Sequence, residues 1–234
     1  MKPRKKVVLL FFGLLILVPF LAYALPMGAQ LCRDTLHYVC YKVKQGDTWQ
    51  KLFPDSNELN EAMHVNRMNT ELYPGIKLAI PKSGLDTPLL DLAPFPERIN
   101  PLGRKLIYVS INPSVLAFGA YDSSGNLVAW GPAVGARGYC PDIHHGCHTP
   151  IGTFEIYRKE GPHCVSTKFP VGRGGAPMPW CMYFHGGMAL HGSYEVPGYN
   201  ASHGCVRMLV PDAEWLNQDF VGDENVMVIV TQQK

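Results

Sequence analysis

The spacing of apolar positions changes character along the chain. An apolar run from Val7 to Leu25 comes first, interrupted by Gly13 and Pro19. Then His37-Tyr38-Val39-Cys40-Tyr41-Lys42-Val43 alternates between the two classes and is rich in β-formers, which predicts a strand. Gln45-Gly46-Asp47-Thr48 turns the chain into a short helix with Asp47 or Thr48 as N-cap. Ser56-Asn57-Glu58 caps a second helix, with Leu59, Ala62, Met63 and Val65 at helical spacing. Tyr73-Pro74-Gly75 is a turn, and Ile76–Ile80 reads as a closing strand. Residues 31–81 are thus expected to form a small βααβ unit.

Residues 82–101 carry Pro88, Pro94, Pro96 and Pro101, with Pro81 just before. This predicts a stiff, extended linker, or a strap along the next domain. From residue 102 to 234 the pattern is one of short apolar runs separated by turns. Strands are expected at Lys105–Ile111, Val115–Tyr121, Leu127–Ala133, Thr153–Tyr157, Met182–Phe184, Met188–His191 and Val226–Thr231. A single helix is expected at Pro211–Phe220. The fold class is mainly β, a sandwich or barrel.

The amino terminus adds a location. Lys2, Arg4, Lys5 and Lys6 precede the apolar run, and Ala22-Tyr23-Ala24 offers small residues at the spacing of a cleavage site. Residues 1–25 are therefore expected to be a signal peptide or membrane anchor. The rest of the chain is expected outside the cytoplasm, in the periplasm or cell envelope, touching the inner membrane only if the segment is retained. The formal net charge is +2. Without the four basic residues the remainder is slightly acidic, so a nucleic-acid partner, which needs clustered Lys and Arg, is excluded. Seven cysteines fit an oxidising compartment. Six can pair in many ways; local separation favours Cys32–Cys40, Cys140–Cys147 and Cys164–Cys181, leaving Cys205 free.

The chemistry concentrates in His191-Gly192-Ser193 and Ser202-His203-Gly204-Cys205-Val206-Arg207. A thiol becomes a nucleophile when a nearby imidazole takes its proton. His191 and His203 both flank Cys205. Gly204 is expected to free the backbone for an unusual conformation, letting N–H groups converge on a developing oxyanion. Arg207 has the geometry to hold a carboxylate by a two-pronged contact. Two other readings stay open on these residues alone: a packing cysteine, and a metal site through His203 and Cys205.

Two resemblances extend this reading. Tyr41-Lys42-Val43, Gln45-Gly46-Asp47-Thr48, Asn66, Leu72, Pro74-Gly75, Leu78 and Ile80-Pro81 make residues 31–81 similar to a LysM domain, a module that binds peptidoglycan and chitin glycans. Trp49 and the stretch around Phe53-Pro54-Asp55 depart from that pattern. His191-Gly192, then Ser202-His203-Gly204-Cys205-Val206-Arg207-Met208, resembles the signature of the L,D-transpeptidase (YkuD-type) catalytic domain. Thr149–Phe154, Met178-Pro179-Trp180, Met188-Ala189-Leu190 and Pro211-Asp212-Ala213 support the likeness, which spans about 104–231.

The second resemblance implies a β-sandwich-like fold and two-step acyl transfer between peptidoglycan stem peptides, without a metal or cofactor. It implies Cys205 as nucleophile and His191 as general acid–base, oriented by the carbonyl of Gly192. His203, Gly204 and Cys205 would supply backbone donors to the oxyanion, while Arg207 and Ser202 would shape the site and bind substrate. The acceptor would be an amine on a second stem or on a protein. An L,D-carboxypeptidase using water and an idle wall-binding protein are the alternatives. The loop Tyr139–His148, with Cys140, Cys147, His144, His145 and His148, departs from the family pattern. Its spacing fits no common zinc template, and a disulfide-stiffened wall beside the cleft is expected instead.

Overall fold

The computed structural model describes residues 25–85, 87–169 and 175–233. The expected signal or anchor, Leu25 apart, lies outside the described residues. Among the described residues no helix is long and apolar enough to cross a membrane.

The first unit runs α1 (Met27–Leu31), β1 (Tyr38–Lys42), α2 (Trp49–Leu52), α3 (Ser56–Asn66) and β2 (Lys77–Pro81). Strands β1 and β2 pair antiparallel, Tyr38 opposite Pro81 and Lys42 opposite Lys77. Thr48 caps α2, its hydroxyl accepting from the Lys51 N–H. The cap of α3 differs from the expected Ser56-Asn57-Glu58. Asp55 takes that role, because its carboxylate accepts from both Asn57 and Glu58 N–H groups. Val43, Trp49, Phe53, Ala62, Met68, Ile76 and Leu78 form the core. Buried Asn66 stitches α3 to β2, donating to the carbonyls of Ala62 and Ala79 and accepting from the Ala79 N–H. Helix α1 is an addition to the expected unit, tied to β1 by the Cys32–Cys40 disulfide.

Residues 82–101 are a packed strap. The Trp130 indole donates to the Leu89 carbonyl and the Tyr121 hydroxyl to that of Pro96. The Leu127 N–H reaches the Glu97 carbonyl, and the Ile99 N–H that of Gly125. Proline has no N–H to offer but keeps its carbonyl, which suits such a segment to lying along a body rich in donors.

The remainder comprises β3 (Leu106–Ser110), β4 (Ala117–Tyr121), β5 (Leu127–Pro132), β6 (Gly138–Cys140), β7 (His145–Cys147), β8 (Gly152–Glu155), β9 (Arg158–Lys159), β10 (Met182–His185), β11 (Met188–Gly192), β12 (Val206–Met208), α4 (Val210–Trp215) and β13 (Met227–Thr231). Five strands in the order β5-β4-β3-β13-β8 face four in the order β12-β11-β10-β9. The core between them takes Ile107, Val109 and Phe118 from the first sheet and Met182, Leu190 and Val206 from the second. Helix α4 continues as a wider π-type turn through Leu216–Val221, so the expected helix is present with a change of pitch. Strands β6 and β7 form a separate hairpin closed by Cys140–Cys147. Cys164–Cys181 is the third disulfide, and Cys205 is free.

The small unit docks on the sandwich through an apolar seam in which Met27 meets Leu116, Val134, Val196 and Leu209. Polar contacts fix its register. The Asn69 amide donates to the Ser193 carbonyl and accepts from the Val196 N–H, both at 2.8 Å, and the Asn69 N–H donates to the Val196 carbonyl at 2.9 Å. Buried His64 contacts Asp212 at 3.1 Å, and the Arg67 guanidinium lies 4.5 Å over the Trp130 ring while donating to the Val115 carbonyl. Asn69→Ala strips partners from two backbone groups of the 193–196 segment. Leaving them unmet costs about 1–3 kcal/mol. Urea unfolding should lose that much, and hydrogen exchange at the Val196 amide should accelerate while β3–β4 amides keep their protection.

Candidate active site

Strand alternation sorts the residues of β10, β11 and β12 between two faces. Met182, Phe184, Leu190, Val206 and Met208 enter the core between the sheets. Tyr183 and Ala189 lie on the other side with Met178 and the Cys164–Cys181 pair, and Cys205 packs against them. Strands β11 and β12 run parallel, Leu190 opposite Val206 and His191 opposite Arg207. This register puts His191, Arg207 and Cys205 on that same outer face. Two neighbouring strands thus deliver the imidazole and the thiol to one face of the sheet.

His191 is buried, with 5% of its surface exposed. Its Nδ1 lies 2.8 Å from the Gly192 carbonyl oxygen. A carbonyl only accepts, so Nδ1 carries the proton and Nε2 presents a lone pair. Burial pushes the imidazole down to about 4, opposed by the Gly192 contact and reinforced by the nearby Arg207 charge. Burial also pushes the Cys205 thiol up; N–H donation from Ala189 and from Cys205 itself, and the Arg207 charge, offset this in part.

Gly192 is closely hemmed in by backbone, and Gly204 is crowded chiefly by the flexible end of Met188. A Cβ on Gly192 would meet the Val210 Cα at 3.0 Å and the Pro179 oxygen at 3.2 Å. On Gly204 it would meet the Met188 Cε at 3.0 Å and the His148 oxygen at 3.4 Å. The unusual conformation expected of Gly204 is not found: it is not among the residues with positive φ. Close approach of neighbours is its reason.

The other residues singled out in the sequence divide by direction. Arg207 is partly buried and donates to the Glu195 carbonyl at 3.1 Å, its guanidinium 3.6 Å from the Glu195 carboxylate. Ser202 is buried, its hydroxyl donating to the Cys205 carbonyl and accepting from the Gly204 N–H at 3.1 Å. It braces the turn from inside. His203 turns away toward Asp142, with Nε2 at 2.8 and 3.0 Å from the carboxylate oxygens, and its ring stacks on Phe169 at 4.4 Å. Asp142 lies in the loop marked as a wall beside the cleft, but its pairing with His203 gave no signal in the sequence, and neither did Phe169, Tyr183 or Glu195; each gains meaning only from tertiary placement.

Among the described residues two groups have donor atoms close enough for a metal: Cys140, Asp142 and His203, and Glu160, Cys164 and Cys181. Every cysteine in both is disulfide-bonded. None can act as a thiolate ligand.

The chain matches none of the curated proteins it was compared with. Solved structures do match. An L,D-transpeptidase from Xylanimonas cellulosilytica is 22% identical, with 68% of this chain and 74% of that one covered, at a TM-score of 0.51. Another, from Stackebrandtia nassauensis, is 22% identical over 64% and 70% of the two chains, at a TM-score of 0.45. A third, from Mycobacterium smegmatis, is 21% identical over 55% and 58%, under two thirds of its own length, at 0.42. At such identity the first likeness speaks for the fold alone. The family model of the L,D-transpeptidase catalytic domain, YkuD, matches residues 104–228, the sandwich that carries His191 and Cys205. That span exceeds half of the 234 residues, and the chain belongs to the YkuD L,D-transpeptidase family.

Proposed function

We propose that this protein is a peptidoglycan L,D-transpeptidase that works in the cell envelope, with Cys205 as nucleophile and His191 as general acid–base. The observation that carries the reading is the β11–β12 register. It supports the reading by bringing a half-buried thiol and a buried imidazole with a free Nε2 lone pair to one sheet face. In the first step Nε2 takes the thiol proton while sulfur attacks the carbonyl carbon after the L-centre of a tetrapeptide stem. The N–H groups of His203 and Cys205 receive the negative oxygen; the Gly204 N–H, also expected as a donor, is taken by the Ser202 hydroxyl. The C–N bond then breaks, the terminal D-amino acid leaves with the proton from His191, and a thioester remains. An acceptor amine attacks that thioester, giving its proton to His191; the new amide forms and Cys205 regains its proton. Arg207 is placed to draw in a substrate carboxylate.

The small unit supports the envelope setting. Its βααβ order and exposed Tyr73 suit a LysM-like module that holds a glycan strand while the sandwich works on the stems. Three disulfides suit an exported chain. The amine of a second stem is the acceptor favoured here. Incubation with tetrapeptide muropeptides should give cross-linked dimers by mass, and Cys205→Ala should give none. Trimmed tripeptides without dimers would assign the protein as an L,D-carboxypeptidase instead.

The resting pair has a definite protonation state. With the imidazole near 4 and the thiol above its ordinary range, the free site at neutral pH holds SH and neutral imidazole. The base is competent wherever it is unprotonated, so the acid limb of kcat/KM should fall near pH 4 and not near 6.5. Cys205 alkylation by iodoacetamide in the free protein should keep rising beyond the ordinary thiol range. A plateau beginning near neutral pH would instead indicate a preformed thiolate–imidazolium pair.

A further inference from the structure

The β6–β7 hairpin, left without a role by the chemistry above, grips the turn that bears Cys205. Its stem is tied to that turn by the Arg137 N–H, which donates to the Ser202 carbonyl at 3.1 Å, and by the Arg137 guanidinium, which donates to the Ala201 carbonyl at 2.8 and 3.2 Å. Both sulfurs of Cys140–Cys147 lie 3.8–3.9 Å from the Ser202 carbonyl oxygen. At the tip, a short 3-10 turn at Pro141–Ile143 carries Asp142. Its carboxylate accepts a hydrogen bond from His203 Nε2 in a two-oxygen contact, while Phe169 covers the ring.

His203 is thereby anchored at Nε2 and across one face. Its Nε2 faces Asp142 and its ring lies against Phe169, so the side chain is directed at the hairpin. What its anchoring does control is the peptide plane between His203 and Gly204. On one side of that plane the Ser202 hydroxyl holds the Gly204 N–H; on the other the anchored His203 side chain limits rotation, and Gly204 supplies no side chain of its own. The carboxylate–imidazole bond is the stronger, charge-assisted kind when the ring is protonated. Closure of the hairpin by the disulfide restricts where Asp142 can sit.

We propose that Asp142 is a positioning residue: through His203 it sets the backbone at 203–205, and with the Gly204 N–H held by Ser202 the His203 and Cys205 N–H groups are the ones that face the developing oxyanion. The disulfide-closed hairpin is the frame from which it acts. This inference rests on the acyl-transfer reading of Cys205, but its consequence is measurable without any cell-wall substrate. Acylation by an activated ester needs both thiol and oxyanion donors; alkylation by iodoacetamide needs the thiol alone.

The test uses the full-length protein, p-nitrophenyl acetate as acyl donor, and intact mass to follow Cys205. Asp142→Ala should lower the acylation rate constant at saturating ester about tenfold, part of what losing a whole oxyanion donor costs. The half-saturating ester concentration and the iodoacetamide rate should stay within about twofold, since neither depends on those donors. Asp142→Asn, which keeps an acceptor oxygen for His203, should recover most of the rate. Should Asp142→Ala fail to fold, His203→Phe keeps the stack on Phe169 without the bond and should show the same split. Acylation at the wild-type rate in the variant, or acylation and alkylation falling together, overturns the proposal. Failure of tetrapeptide stems to acylate the wild-type protein overturns the substrate reading alone and leaves the ester result to decide the role of Asp142.

Discussion

Parallel pairing of β11 with β12 is the constraint on which the site depends. Two parallel neighbours cannot be joined by a tight turn and need a crossover of about a dozen residues or more. Here it is the segment from Ser193 to Cys205, between Gly192 at the end of β11 and Val206 at the start of β12. That connection delivers Glu195 beside Arg207, brings Ser202 and Gly204 into the turn, and ends on Cys205. A one-residue slip in the pairing would send Cys205 and His191 to opposite faces. Burial of Leu190, Val206 and Met208 in the core makes such a slip expensive.

A crossover carrying chemistry must be held, and this one is held from both ends. Near its start the small unit grips it, through Asn69 on Ser193 and Val196 and through the packing of Met27 against Val196. Near its finish the hairpin grips it, through Arg137 and Asp142. The middle is fixed by Asn200, whose side chain donates to the Ile111 carbonyl and accepts from the Gly135 N–H. The docking of the small unit is reinforced by His64. Burial alone would push its imidazole down, but the facing Asp212 and the Asn60 carbonyl raise it above its ordinary value. Its contribution is therefore fully present below the unfolded value of about 6.5 and is lost as pH rises through the raised folded value.

The mainly β class and most strands were legible because alternation and turn residues are local signals. The Asp122–Asn126 turn is one: its carboxylate collects N–H groups from Ser124 and Asn126, as its spacing implies. The candidate cluster of His191, Ser202, His203, Cys205 and Arg207 could be singled out because its members crowd into a short stretch. What stayed hidden is non-local. Asp142 meets His203 across 61 residues and Asn69 meets Val196 across 127, and no periodicity marks either. Sequence closeness misleads as well: His203 is nearer Cys205 along the chain, yet its side chain points to Asp142. The proline-rich strap was half legible, since Pro fixes an extended path but says nothing of which carbonyls will be used.

One sulfur remains unpaired in a chain whose described cysteines otherwise form disulfides, and the physics of the site accounts for its survival. Oxidation and disulfide exchange proceed through the thiolate. A thiol raised by burial holds little of that form at neutral pH, and a neutral His191 on the same sheet face offers no charge to draw it out. On the proposed acyl-transfer reading, the same burial would make the oxyanion donors effective once a carbonyl enters, because dipoles act more strongly where water is excluded. Reactivity would then be conditional on occupancy: the electrophile would supply the reason for the proton to move to Nε2, since attack and proton transfer in one step avoid a buried ion pair that the free site does not favour.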